Sequence, residues 1–195
     1  MAECQRFVVI LGLLLLSSCG GEVRETETTA ETEISMPAAQ QLTMFEAAEQ
    51  GNLEEVRRQL EEGADPNAAT ESQQFALTAA ASNGHPDVVA LLLEHEANPN
   101  SSDSQGQTAL FMAAYERNAQ VVKMLLDAGA EVDALTHAGE TALLRSVFWQ
   151  DRDTVNLLLE AGAKPDAVPD AVLSSIGFKD RTEWEQRVRD VQAGR

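Results

Sequence analysis

The sequence is poor in cysteine, aromatic side chains and basic residues. It has two cysteines, Cys4 and Cys19, and both lie among the first twenty of its 195 residues. The rest of the chain can therefore hold neither a disulfide framework nor a cysteine-based zinc site. Only 14 basic side chains stand against 32 acidic ones, which gives a net charge of −18. Because phosphate binding needs clustered lysine and arginine, this balance argues against nucleic-acid binding and against electrostatic attachment to anionic lipid.

Signatures of catalysis are also missing. The three histidines, His85, His95 and His137, fall where the pattern predicts turns or helix ends. There is no His-Glu-x-x-His motif, no phosphate-binding glycine loop and no Gly-x-Ser-x-Gly elbow. The acidic residues are scattered rather than paired in a pattern typical of acid–base catalysis. We therefore expect no catalytic residue, no metal site and no cofactor.

One long apolar run is present, from Phe7 to Leu16, and Gly12 alone interrupts it. About ten residues is the usual length of a signal-peptide core, and a membrane-spanning helix needs roughly 20. The residues Leu16-Ser17-Ser18-Cys19 at its end resemble a bacterial lipobox. This resemblance implies a lipoprotein signal peptide over residues 1–18, followed by lipidation of Cys19. An ordinary secretory peptide that is cut elsewhere is the alternative.

The residues after Cys19 indicate the membrane in which such a lipoprotein would be located. Gly20, and not aspartate, follows Cys19, which in a diderm bacterium implies the outer membrane facing the periplasm. Residues 19–40 contain five glutamates and one arginine among threonine, alanine and glycine. With so little apolar surface to bury, we expect a disordered acidic tether with a reach of about 25 Å.

A 33-residue period organises most of the remaining chain, whose 44% hydrophobic content is sufficient for a core. A pair of small residues recurs in phase as Ala47-Ala48, Ala80-Ala81, Ala113-Ala114 and Ser146-Val147. Residues 60–67 recur in the same register as 93–100, 126–133 and 159–166. In each copy the apolar spacing predicts two successive helices, and a polar stretch such as 133–140 is long enough for a hairpin-like finger.

These motifs resemble the ankyrin repeat, whose opening pattern is met by Gly106-Gln107-Thr108-Ala109-Leu110 and Gly139-Glu140-Thr141-Ala142-Leu143. The resemblance implies an all-α fold, an ankyrin-repeat solenoid of four 33-residue helix-turn-helix repeats with short hairpin fingers, over residues 41–166. The histidine of the motif is replaced by Phe45, Thr78, Phe111 and Leu144. Glu96, Arg117 and Gln150 occupy positions where glycine is expected, so we predict positive φ angles at residues that carry a Cβ.

The repeat register ends at Asp166, and residues 167–195 follow a different pattern. Two helices are predicted there, from Pro169 to Ile176 and from Arg181 to Gln192. Trp184, Val188 and Val191 are spaced to face the repeats. Because a repeat array needs an end with one polar face, we interpret this segment as a helical C-terminal cap.

The resemblance also implies where a partner would bind. In ankyrin arrays the end of the first helix of each repeat and the adjacent finger form the inner, concave face. The corresponding residues are Ser82, Asn83, Tyr115, Glu116, Phe148 and Trp149 on the helices, and Gln105, Gln107, His137 and Glu140 on the fingers. Tyr115 and Phe148 are 33 residues apart and should be equivalent. The alternative is that Phe148 and Trp149 pack against the C-terminal cap.

The sequence therefore favours a non-enzymatic protein–protein interaction module, held as a monomer on the bacterial cell envelope by the lipid on Cys19. The acidic rim favours a basic partner protein. One alternative is an inhibitor or immunity protein that blocks an envelope or secreted enzyme. A second alternative, an enzyme or metal-binding protein built on the same solenoid, would require a convergent cluster of histidine and carboxylate side chains.

Overall fold

The structure is a computed structural model that describes residues 43–195. The predicted signal peptide (1–18) and tether (19–40) lie outside the described residues. Eight helices form four pairs: α1 Met44–Glu49 with α2 Leu53–Glu61, α3 Ala76–Ser82 with α4 Pro86–Glu94, α5 Ala109–Tyr115 with α6 Ala119–Asp127, and α7 Ala142–Phe148 with α8 Arg152–Glu160. Two further helices follow a 3-10 turn at Pro165–Ala167: α9 Asp170–Ser175 and α10 Arg181–Gln192. The described part of the chain contains no strand, which confirms the predicted all-helical repeat fold.

Seven of these ten helices begin at a residue whose side chain caps the first turn. The second helix of each pair starts after a residue at the same repeat position, Asn52, His85, Asn118 or Asp151. Three of these side chains accept the backbone N–H three residues later; His85 does not, and Pro86 follows it. Proline suits a first helical position because its missing N–H needs no partner there. Each side-chain cap stabilises its helix by about 1 kcal/mol.

The helices pack in two rows. The first helices of the pairs, α1, α3, α5 and α7, contact one another in sequence and form what we call the inner row. The second helices, α2, α4, α6 and α8, form the outer row. The paired alanines of α1, α3 and α5 are 0% exposed, which lets neighbouring inner helices approach closely. In α7 the first of these positions is Ser146, which is also 0% exposed and donates its hydroxyl proton to the carbonyls of Ala142 and Leu143.

The predicted positive φ angles are present. Glu96, Arg117 and Gln150 have φ values of +64°, +56° and +56° at the ends of helices. The structure adds a fourth such residue, Gln73 with φ +57°, in the turn of the first finger. In the next two fingers the equivalent residues are Gly106 and Gly139. Each of these non-glycine residues is less stable in this conformation by about 1–2 kcal/mol.

Side-chain amides connect consecutive repeats along the outer loops. The Asn67 side chain accepts the backbone N–H of Asn98 at 2.7 Å and donates to the carbonyl of Glu96 at 3.2 Å. One repeat later, Asn100 accepts from the N–H of Glu131 at 2.7 Å and donates to the carbonyl of Gly129 at 3.4 Å. Asp133 continues the series by accepting from the N–H of Lys164 at 2.9 Å. These contacts fix the register of each loop against the next.

The two C-terminal helices cover the last pair. Helix α10 contacts α7, α8 and α9 and has the predicted bounds, while α9 is one residue shorter than predicted at each end. Trp184 is 0% exposed, and its indole N–H donates to the carbonyl of Pro165 at 2.8 Å. Val188 and Val191 are also buried, as predicted. Within residues 43–195, no helix is long and apolar enough to cross a membrane.

Candidate partner-binding surface

Three exposed aromatic residues meet at the end of the inner row. Tyr115 is the last residue of α5, Phe148 is the last residue of α7, and Trp149 directly follows α7. The Trp149 ring lies edge-to-face against both others, with centroid distances of 6.2 Å to Tyr115 and 5.3 Å to Phe148. The exposed fractions are 40% for Tyr115, 62% for Phe148 and 42% for Trp149. We call these three residues the aromatic cluster.

The repeat register produces this cluster. Helices α5 and α7 are neighbours in the inner row, so equivalent residues on them lie side by side. Arg117 and Gln150 then turn the chain through positive φ angles, so that α6 and α8 run in the outer row. The equivalence of Tyr115 and Phe148 that the 33-residue spacing predicts is therefore present in the structure.

Arg145 supports the cluster, and sequence reasoning missed it. Its guanidinium carbon lies 5.5 Å from the centroid of the Tyr115 ring and 5.8 Å from that of Phe111. Its Nη2 atom lies 2.6 Å from a carboxylate oxygen of Glu140 in the third finger. The signal available in the sequence was a departure from the repeat, since the equivalent inner-row residues are Ala79 and Met112. Glu140, predicted as a partner-binding residue, is thus engaged by Arg145 within the chain.

The second and third fingers contact each other beside the inner row. The backbone N–H of His137 donates to the carbonyl of Gln105 at 2.8 Å, and both side chains are exposed. The Gln107 amide donates to the side-chain oxygen of Gln105 at 3.3 Å. The fingers therefore present three of the predicted partner-binding side chains on one connected edge.

Further toward α1, the predicted residues Ser82, Asn83 and Gln107 line an open cleft of about 180 Å³, which we call the polar cleft because most of its lining residues are polar. Glu49 and Asp103 contribute carboxylates to this cleft, and none of its described lining residues is basic. The structure therefore separates the predicted surface into a polar, acidic part and the aromatic cluster. Glu116 belongs to neither, because it lines a groove at the helix turns with Arg117, Gln150, Asp151, Arg152 and Asp153.

The alternative prediction, packing against the C-terminal helices, applies to part of Phe148. With Leu144, Val147, Ile176, Phe178 and Trp184, this residue provides the apolar wall of a cleft of about 210 Å³, and Arg187 is the one charged residue in its lining. We call this the C-terminal cleft. Phe148 nevertheless keeps 62% of its surface exposed. The ring contacts of Trp149 are with Tyr115 and Phe148.

The histidines have separate surroundings. His85 Nε2 lies 3.1 Å from the carbonyl oxygen of Glu49, which connects α4 to the end of α1. His95 follows α4, and His137 is in the third finger. No group of three histidine, cysteine or carboxylate residues in the 43–195 segment is arranged to hold a metal ion. For contact with another molecule, the surface formed by the inner row and the fingers offers aromatic rings, side-chain amides and carboxylates.

The fold defines a class of protein, the all-helical repeat solenoid. A family model described as ankyrin repeats, in three copies, matches residues 44–136, so this part of the chain consists of three ankyrin repeats. Helices α7 and α8 follow with the same 33-residue offset. A comparison with curated proteins found no match. Ankyrin repeats are generally protein–protein interaction modules and usually not enzymes.

Proposed function

We propose that this chain is a non-enzymatic, monomeric lipoprotein that docks a partner protein on the inner row and fingers of its ankyrin repeats. The observation that carries the proposal is the aromatic cluster, in which Tyr115, Phe148 and Trp149 are each at least 40% exposed on adjacent inner helices. Tyrosine and tryptophan are enriched among the residues that dominate binding energy at interfaces. Edge-to-face contacts hold these rings in place before binding, which limits the entropy lost when a partner docks.

The charge of the described residues favours a basic partner. Residues 43–195 carry 26 acidic and 12 basic side chains, and the stretch between Arg58 and Arg117 has neither lysine nor arginine. That stretch includes α3, α4 and α5 with the first two fingers. Carboxylates such as Glu49 and Asp103 in the polar cleft would steer a cationic surface toward the aromatic cluster.

Attachment to the bacterial envelope is the second part of the proposal, and it is supported by the lipobox-like Leu16-Ser17-Ser18-Cys19. Two or three acyl chains on Cys19 would give a stable anchor, because each buried methylene contributes about 0.8 kcal/mol. The tether would then raise the local concentration of a partner at the outer membrane. A Cys19→Ala chain should no longer float with membranes in a density gradient; flotation equal to that of the wild type would contradict the anchor.

Site-directed photocrosslinking in the producing bacterium tests the docking surface. A benzoylphenylalanine residue at position 149 should give a discrete adduct, and the same residue at exposed Gln120 on outer helix α6 is the matched control.

A pull-down with Tyr115, Phe148 and Trp149 all changed to alanine should lose the crosslinked partner. Its control changes three exposed outer-row residues, Arg57, Gln120 and Glu160, to alanine. Equal recovery of the partner by both triple variants would reject the proposed surface. If the partner is an enzyme, its activity in the complex distinguishes an inhibitor from a docking protein.

A further inference from the structure

The C-terminal cleft has a chemical character of its own. Its wall consists of six apolar side chains from α7, α10 and the loop between α9 and α10, and Ile176 at its edge is 41% exposed. Its volume of about 210 Å³ is below the roughly 300–1,000 Å³ of pockets that take drug-sized molecules. At about 30 Å³ per water molecule, the space corresponds to roughly seven waters. The cleft is therefore of a size for one apolar side chain.

Arg187 gives this apolar cleft a positive charge that no side chain in the described part of the molecule neutralises. Within residues 43–195 the guanidinium of Arg187 makes neither a hydrogen bond nor an ion pair. The other two arginines of α10 have partners, since Arg181 pairs with Asp170 and Arg189 lies 3.8 Å from Glu185.

The two acidic residues of α10 that are within side-chain reach of Arg187, one turn before and one turn after it, have other partners. Glu183, one turn before it, accepts the backbone N–H of Lys179 at 2.9 Å. Asp190, three residues after it, accepts from the Gln186 amide at 2.8 Å. In a chain with 32 acidic residues, a half-buried arginine without a carboxylate partner leaves a site for an external anion.

We propose that the C-terminal cleft binds the free carboxyl end of a polypeptide whose last residue is hydrophobic. The last side chain would fill the apolar wall while its own α-carboxylate pairs with the Arg187 guanidinium, which binds carboxylates in a bidentate geometry. A C-terminal residue carries its side chain and its α-carboxylate on the same carbon atom. It can therefore place the side chain in the apolar cleft and the carboxylate beside the Arg187 guanidinium. This site goes beyond the proposed docking function and shares only Phe148 with the aromatic cluster.

Tryptophan fluorescence can report this binding directly. The chain has two tryptophans, so the Trp149→Phe variant leaves Trp184, in the lining of the cleft, as the sole reporter. The probe is the pentapeptide Gly-Ser-Gly-Ser-Phe as the free acid, titrated into the full-length chain in phosphatidylcholine nanodiscs. The same peptide as its C-terminal amide is the comparison. We expect saturable binding of the acid, with a dissociation constant about 10 to 100 times lower than that of the amide.

Two substitutions on α10 separate the charge of Arg187 from the structure of the helix. Arg187→Met keeps an unbranched apolar stem and should weaken binding of the acid to the level of the amide. Arg189→Met, on the same helix but outside the cleft lining, should leave both affinities unchanged. Ile176→Asp changes an exposed residue and should weaken binding of both peptides. Circular dichroism of each variant checks that the helices are retained.

Three results would overturn the proposal: equal affinities of acid and amide, an equal loss in Arg189→Met, or equally tight binding of an amidated peptide with internal phenylalanine and aspartate. The last result would assign the cleft to an internal acidic segment. Peptide binding is measured in a chain that lacks Trp149, whereas the docking surface is tested by photocrosslinking at position 149. The two measurements therefore do not depend on each other. Failure of one proposal is thus distinguishable from failure of the other.

Discussion

Replacing Gln150 with glycine is expected to stabilise the protein. Gln150 has a φ of +56°, in a region where an L-residue with a Cβ is less stable by about 1–2 kcal/mol. Its side chain is exposed and uncharged, and it makes no hydrogen bond within the described residues. The substitution therefore relieves backbone strain without removing a hydrogen bond or changing the charge.

The expected gain follows from two opposing effects. Glycine removes about 1–2 kcal/mol of strain in the folded chain but makes the unfolded chain more flexible, which costs roughly 0.5–1 kcal/mol. The net increase in the free energy of unfolding is about 0.5–1 kcal/mol, or roughly 1–4 °C in Tm for a domain of this size. Gln150→Ala is the matched control, because alanine keeps the Cβ and should change stability by less than about 0.5 kcal/mol.

Urea unfolding of the full-length chain, followed by far-ultraviolet circular dichroism, measures the difference. Circular dichroism is preferred because Trp149 is adjacent to the substitution and its fluorescence could change for local reasons. Gly129→Ala provides the reverse test, since its φ is +85° and a Cβ there would have no neighbour within 4 Å. That variant should lose about 0.5–1 kcal/mol, because about 1–2 kcal/mol of backbone strain is partly offset by the lower flexibility of the unfolded chain. Equal stability of Gln150→Gly and Gln150→Ala would refute the reasoning.

Three further predictions concern side-chain interactions. Asn100→Ala removes one hydrogen-bond acceptor and one donor between repeats and should lower the free energy of unfolding by about 1–2 kcal/mol. Asn100→Asp should lose less stability, because it keeps the acceptor for the Glu131 N–H. Urea unfolding of both variants measures the difference. Backbone and side-chain hydrogen bonds from Thr43 lower the pKa of Glu46 below 4.5, so its contribution to stability is present above that pH and is lost as the pH falls through the lowered value. Glu46→Gln should therefore lose less stability than the wild type on acidification, and an NMR titration that placed the pKa of Glu46 at or above 4.5 would contradict the cause. Arg145→Met should remove the contacts to Tyr115 and Glu140 and speed amide hydrogen exchange in residues 136–140, with Lys123→Met on the outer row as the control.

The sequence was sufficient for the features that depend on local chemistry. The cap residues Asn52, Asn118 and Asp151 bond to backbone groups three residues away, and the 33-residue period places them at equivalent positions, so these helix starts depend on side chains nearby in the sequence. The positive φ angles at Glu96, Arg117 and Gln150 followed from register alone.

Features that depend on contacts between repeats were harder to predict. The Arg145–Glu140 pair joins an inner helix to a finger, and nothing in the residue order required that rotamer. The C-terminal cleft depends on how α10 and the loop after α9 lie against α7, where the repeat register no longer applies. Gln73 was missed although Gly106 and Gly139, the equivalent residues of the next two fingers, carry the same register signal that identified Glu96, Arg117 and Gln150.

The main contacts of each helix pair in this stack are with the pairs directly before and after it, and the last pair also contacts the C-terminal helix α10. The aromatic cluster takes its rings from α5, from α7 and from the residue that follows α7, so its geometry does not depend on how many pairs precede α5. Insertion of another 33-residue unit ahead of α3 would move the cluster away from residue 43 by about one helix spacing, roughly 10 Å, and leave its geometry unchanged. The number of repeats therefore sets the distance between the start of the stack and the aromatic cluster, and duplication or deletion of a unit would change that distance.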